Sequence, residues 1–147
     1  MAELLRRDFM VDAPLDWAWR TFADVMAWPR WAPHIRRLTV IPPGPVGPTS
    51  TGSLHFRPIG RSRFHVTVFD EGDHWEWVGK VLWLTIRYDH RFASDGNRTH
   101  MTWTVSQDGA RRSPLGRLFA SVYGRLVDRA IPRLQAQLAA ARGGKDR

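Results

Sequence analysis

The hydrophobic period of this chain holds at two through its middle and returns to helical spacing near its end. From Ile35 to Gln107 apolar and polar residues alternate, which marks strands with one buried face. From Pro114 onward the apolar residues recur at helical spacing: Leu115, Leu118, Phe119, Val122, Tyr123, Leu126, Val127, Ala130, Ile131, Leu134 and Leu138. A sheet that is apolar on one side must cover that side, and only this helix is long enough to do it. The spacing therefore predicts an α+β fold in which an antiparallel sheet of about seven strands closes on a long C-terminal helix.

The finer reading follows from local breaks. Residues 4–11 read as a strand, ended by Asp12-Ala13-Pro14. Pro14 suits a helix start, Asp16 suits its first turn, and Ala18, Trp19 and Phe22 share a face, so a short helix is expected over 14–24. Two prolines and two tryptophans in 25–33 predict a second short helix or a tight turn. Further strands are expected at 35–42, 53–58, 62–70, 74–78, 83–93 and 98–106. The Pro- and Gly-rich stretch 42–52 is expected as a loop, and breaks are expected at 60–61, 71–73, Gly79 and 95–97. Breaks this short make hairpins. Pro132 predicts a kink in the long helix, and the tail 142–147 is expected to be disordered.

Composition excludes several classes. The chain of 147 residues fits one domain, placed at 1–141. It has no cysteine, so disulfides and thiolate chemistry are excluded. No apolar run of signal-peptide or membrane-spanning length occurs, and a cytoplasmic location is expected. The net charge is +8, but only Lys80 and Lys145 are lysines, and the arginines spread from Arg6 to Arg147 without a dense run. A nucleic-acid partner is therefore not expected. The six histidines lack metal-ligand spacing, no Gly-rich loop precedes a helix, and neither metal nor cofactor is expected. Asp89 and His90 are strand neighbours on opposite faces, so they form no dyad.

Alternation assigns the inward side chains. Leu84, Ile86, Tyr88, His90 and Phe92 share one face, with Trp83, Thr85, Arg87, Asp89 and Arg91 on the other. The same test turns Leu54, Phe56, Phe64, Val66, Val68, Trp75, Trp77, Met101, Trp103 and Val105 inward. Trp17 falls off the face of its helix, and either lies against a neighbouring loop or marks a partner or membrane contact. The basic, amphipathic C-terminal helix leaves peripheral contact with anionic lipid open as well.

The segment Ala13-Pro14-Leu15-Asp16-Trp17-Ala18-Trp19-Arg20-Thr21-Phe22-Ala23-Asp24-Val25-Met26-Ala27-Trp28-Pro29-Arg30-Trp31-Ala32-Pro33 resembles the opening of the polyketide cyclase/dehydrase branch of the START-like (SRPBCC, Bet v 1-like) superfamily. The Trp75/Trp77 pair, the His90-Arg91-Phe92 strand and the 99–105 strand fit it too, and the resemblance covers about residues 5–140. It implies a helix-grip fold with two short helices after the first strand and a cavity between sheet and helix. It also implies a small hydrophobic ligand, lipid-like or polyketide-like, bound or carried there. The candidate ligand-binding residues are Phe56, Phe64, Val66, Trp75, Trp77, Leu84, Ile86, Tyr88, His90, Met101, Trp103, Phe119 and Tyr123. Tyr88 and His90 are the polar tips of an apolar face: they either orient a ligand, or one of them or another buried polar group moves protons in a cyclase or dehydratase, or they satisfy each other or backbone groups in a packed core. A protein-interaction module using Trp17 and the arginine-rich surface is the third alternative.

Overall fold

The structure, a computed structural model, describes residues 1–57, 59–109 and 111–145, the last five by backbone alone. Seven strands, β1 (Ala2–Val11), β2 (Ile35–Ile41), β3 (Thr51–Phe56), β4 (Gly60–Asp70), β5 (His74–Val81), β6 (Leu84–Asp95) and β7 (Arg98–Gln107), form one sheet in the order β1-β7-β6-β5-β4-β3-β2. Every neighbouring pair is antiparallel. Helix α1 (Leu15–Ala23) and a 3-10 helix (Val25–Arg30) follow β1, and α2 (Pro114–Lys145) closes the chain. This is the helix-grip arrangement. Among the described residues no helix is long and apolar enough to cross a membrane.

Side chain to backbone bonds fix the helices on the sheet. Thr99 Oγ1 donates to the Ala13 carbonyl at 2.8 Å, which ties the entry of α1 to β7. Gln107 accepts from Ser113 N at 3.0 Å and so anchors the start of α2. Farther along, Arg7 makes a two-pronged contact with Asp128, at 2.7 and 3.2 Å, and Gln135 donates to Met10 O at 2.8 Å. α2 therefore lies along β1, and its Phe119, Val127, Ala130, Leu134 and Leu138 are buried.

Several expectations are corrected. Gly79 does not break β5, which continues to Val81. A Cβ there would sit 2.8 Å from the Arg63 carbonyl, so the glycine permits close approach of β4 rather than a turn. Val68 does not point in: β4 carries a bulge between Val66 and Val68, which leaves Val68 exposed and turns Phe69 toward the core. The apolar face of α2 is wider than the sheet can cover, so Leu118 is 62% exposed beside half-buried Leu115 and Val122. The expected tail is helical through Lys145, since a helix already formed crosses Gly143 and Gly144 at a cost of about 1 kcal/mol each. Residues 146 and 147 lie outside the described residues. α2 also runs on through Pro132.

Gly52, expected in the loop, is paired within β3. A Cβ at Gly52 would clash with the Thr39 carbonyl and lie 2.6 Å from the Phe64 ring. Gly52→Ala is therefore expected to lower stability by about 2 kcal/mol in urea unfolding, because backbone must move to admit the methyl. A neutral Gly52→Ala would show that β2 and β3 are not in this register.

Candidate functional site

Cross-strand register builds the inner face of the sheet in rows. Trp75 pairs with His90 and His90 with Trp103; the next row is Trp77, Tyr88 and Val105. Phe22 of α1 descends on the first row, its ring 5.0 Å from Trp75, 5.3 Å from His90 and 5.4 Å from Trp103. Trp28 and Trp31 pack behind Phe22 at 4.8 and 5.8 Å, and the Trp28 indole is fixed by donating to Phe22 O at 2.8 Å. From α2, Tyr123 meets Tyr88 edge-on at 5.8 Å and stacks on Phe119 at 5.1 Å. His34 follows the 3-10 helix. It lies parallel to Phe56 at 6.2 Å and edge-on to Tyr123 at 5.7 Å.

Two small gaps remain among these rings. One, about 30 Å³, is bounded by Phe22, Trp28, Trp31, His34, His90, Trp103 and Tyr123; the other, about 20 Å³, by Leu5, Tyr88, His90, Trp103 and Tyr123. Each is on the scale of a water or two. A third space opens at the surface: a groove of about 320 Å³ between the start of α2, the β3–β4 turn and the β5–β6 turn. Phe119 lines this groove and stacks on Tyr123, which lines both inner gaps.

The polar atoms facing this interior carry its chemistry. His34 Nδ1, Trp75 Nε1, Tyr88 Oη, His90 Nδ1 and Trp103 Nε1 are buried, and none has a hydrogen-bond partner among the described residues. An unsatisfied buried polar atom costs about 1–3 kcal/mol, so five around one interior is a large expense for a merely structural core. Burial pushes both His34 and His90 down to about 4. For His90 the Asp89 charge and the Trp75 backbone oppose that shift, and His74 adds to it. Burial also raises both tyrosines, Tyr88 with a further contribution from Tyr123. Near neutral pH the site is therefore uncharged. It offers phenol and indole donors and neutral imidazoles, a set suited to carbonyl and hydroxyl oxygens.

Of the candidates read from sequence, Tyr88, His90, Trp103 and Tyr123 come together at the gaps. Phe56 and Phe119 stand at their margin. Trp75, Trp77 and Phe64 pack in the aromatic cluster, with Phe64 4.2 Å from Trp77. Leu84, Ile86 and Met101 are buried core, and Val66 is half-buried at its edge; none of these four borders a gap. His34, Phe22, Trp28 and Trp31 border the site and were not among the candidates. The hydrophobic face of α1 was legible for Phe22, whereas His34 lies between Pro33 and Ile35 where no period applies. Trp17 is half-buried against the core, with the Arg20 guanidinium 5.7 Å above its ring.

The opposite face of the sheet is a separate ionic surface. His74 bonds to Asp89, which also accepts from Arg91 at 3.2 Å, while Arg87 pairs with Glu76 at 3.1 Å and Asp108 at 2.8 Å. Among the described residues, no three histidine or acidic side chains are placed to hold a metal ion.

Comparison with known proteins adds the following. Residues 4–141 match the model of the family described as polyketide cyclase / dehydrase and lipid transport. The fold is similar to that of a Thermobifida fusca protein solved by NMR (TM-score 0.75, 21% identity, 95% of each chain covered). It is similar to a START superfamily protein from Mycobacterium smegmatis (TM-score 0.69, 11% identity, 93% of this chain and 97% of that one). It is also similar to the di-domain ARO/CYC StfQ from the steffimycin biosynthetic pathway (TM-score 0.69, 15% identity), where 97% of this chain covers 52% of that one. At these identities the likeness establishes a shared fold. No curated protein matches the chain in sequence.

Proposed function

Since the chain belongs to the polyketide cyclase/dehydrase and lipid transport family, we propose that it binds a small, uncharged hydrophobic molecule bearing oxygen functions, polyketide-like or lipid-like, between the inner face of the sheet and α2. The observation that carries this reading is the set of five unpartnered buried polar atoms on an otherwise aromatic interior. Indole N–H groups only donate, so Trp75 and Trp103 call for acceptors, and neutral imidazoles and phenols complete the set. Such a molecule would meet rings for stacking and donors for its oxygens.

The gaps of about 30 and 20 Å³ are far smaller than an occupied site for such a ligand, which is typically a few hundred Å³. Binding therefore requires α2 or the rings to move. The access route supported by the packing runs from the groove past Phe119 and Tyr123. Native mass spectrometry of freshly purified protein tests the reading. A stoichiometric extra mass released on denaturation is the expected result. A clean mass, together with failure of polycyclic phenols to quench tryptophan fluorescence, would sink it.

Placement of Tyr88, His90 and Tyr123 around one gap favours a second reading, a cyclase or dehydratase. The depressed His90 works against it, because a base at about 4 is far from the proton affinity that neutral-pH catalysis favours. His90→Gln separates the two. Under the binding reading it lowers affinity by no more than about tenfold, the worth of one hydrogen bond. Under the enzyme reading it removes about 10²-fold or more of any turnover while the ligand still binds.

A further inference from the structure

The end of the molecule that carries the groove combines three features. The β5–β6 turn holds Leu82 and Trp83, between the paired residues Val81 and Leu84, and these two are 70% and 75% exposed. Across the groove stand Leu118, 62% exposed, and half-buried Ile59. Leu82, Trp83 and Leu118 thus meet at one tip, whereas exposed Met1, Met26, Ile41 and Val68 lie elsewhere.

The backbone at this tip is also unusual. Leu82 has φ +55°, in the left-handed region that glycine or asparagine enters at less cost, and it is the only non-glycine residue described with positive φ. The strain brings no packing in return, because the side chain it presents is exposed. Strain held at an exposed apolar tip points to a role outside the fold.

Charge surrounds the tip. Arg61 and Lys80 line the groove, no carboxylate does, and Arg117 follows Gly116 in the first turn of α2. None of these three cations makes an ion pair among the described residues. Arginines without an ion pair among the described residues also occur elsewhere, Arg36, Arg37 and Arg125 among them, so the tip is set apart by joining such cations to an exposed indole and leucines.

We propose that the tip formed by Leu82, Trp83 and Leu118 docks on an anionic lipid bilayer, with the apolar side chains at the headgroup boundary and Arg61, Lys80 and Arg117 against the lipid phosphates. Tryptophan and leucine partition to that boundary, and unpaired cations add attraction to acidic headgroups. A polar protein partner would match the charge but leave the indole and the leucines exposed. The inference goes beyond the proposed cavity function and stands on surface features alone.

Sedimentation of the full chain with vesicles tests it. Vesicles of phosphatidylcholine with about one third phosphatidylglycerol are expected to carry the protein down, plain phosphatidylcholine much less, and salt should release it. The double variant Leu82→Ser/Trp83→Ser, and separately Arg61→Glu/Lys80→Glu, should each weaken binding by about tenfold or more. Thermal melting should be unchanged in the first variant, because both side chains are exposed. Ile41→Ser, an exposed apolar site away from the tip, should bind like the unmodified protein. Binding that ignores lipid charge, or survives loss of Leu82 and Trp83, overturns the proposal. So does an unmodified protein that is a dimer in sedimentation velocity and becomes monomeric in the double variant, since a second copy would then cover the tip. Cavity occupancy is read separately by native mass spectrometry and phenol quenching: a clean mass and no quenching with intact vesicle binding overturns only the ligand reading, and a filled cavity without vesicle binding overturns only this one.

Discussion

Between pH 6.5 and pH 4 the folded protein is expected to lose on the order of 6 kcal/mol of stability, because His34 and His90 are both buried and held neutral. His34 is 4% exposed and His90 is 7% exposed. Burial moves each from 6.5 to about 4 in the folded state. For a base with a depressed folded value, the unfolded chain binds the extra proton first. Stability is therefore fully present above pH 6.5, falls as pH drops toward 4, and changes no further from these groups below that. Each histidine contributes a slope of about 1.4 kcal/mol per pH unit, or roughly 3 kcal/mol across the window. A domain at the bottom of the ordinary range of about 5–15 kcal/mol would be near its unfolding midpoint at pH 4, and a more stable one would keep the remainder.

The carboxylates act lower down. Asp8 is held below its usual 3.8 mainly by the Thr102 hydroxyl, so its contribution is kept above that value and lost only as pH falls beneath it. Urea unfolding across the pH series measures the slope, and His34→Gln and His90→Gln should each remove about half of it. The slope is the readout, so a variant of lower absolute stability remains informative. Flat stability across the window, or histidine resonances titrating near 6.5, would show that the two rings are hydrated.

The second large effect is at Phe22. The side chain is 1% exposed, and its ring lies 4.8–5.8 Å from the rings of Trp28, Trp31, Trp75, His90, Phe92 and Trp103. Phe22→Ala is expected to cost about 3–5 kcal/mol, the sum of lost burial and the cavity left behind. The vacated volume adjoins the gap that His34, His90 and Trp103 border, so polar atoms would line part of it. The variant should then admit a ligand with less rearrangement, and bind the same polycyclic phenols more tightly per unit of remaining stability. Phe22→Leu keeps most of the volume and should cost about 1 kcal/mol. Unfolding midpoints in urea, with the slope unchanged, check both. A loss below about 1 kcal/mol for Phe22→Ala would mean that the aromatic cluster closes over the gap, and that the interior is more plastic than its packing implies.

Much of the architecture was legible without coordinates. Element order and the inward rows of β5, β6 and β7 follow from periodicity, because a strand with one buried face repeats every two residues whatever its neighbours are. That argument fails where a strand is irregular. Val68 was read inward because period two was carried through β4; one unpaired residue at the bulge reverses the faces beyond it, and only pairing with β5 reveals the bulge. Gly79 was read as a break because glycine has two uses, a turn and a close approach, and the approach of Arg63 is non-local.

The sequence by itself determined the kind of interior this protein has: an aromatic face on a sheet, covered by one long helix, with Tyr88 and His90 turned into it. Periodicity decides that, since it depends on local geometry alone. The tertiary structure decided how much room is left. Phe22 and Trp28 of the short helices, and Trp31 just after them, cross to the sheet and fill the space to two gaps of about 30 and 20 Å³. It also decided that His34, outside any periodic segment, joins His90, and that five polar atoms share one interior without partners. Volume and hydrogen-bond satisfaction are properties of side chains distant in the chain, and no local pattern encodes them.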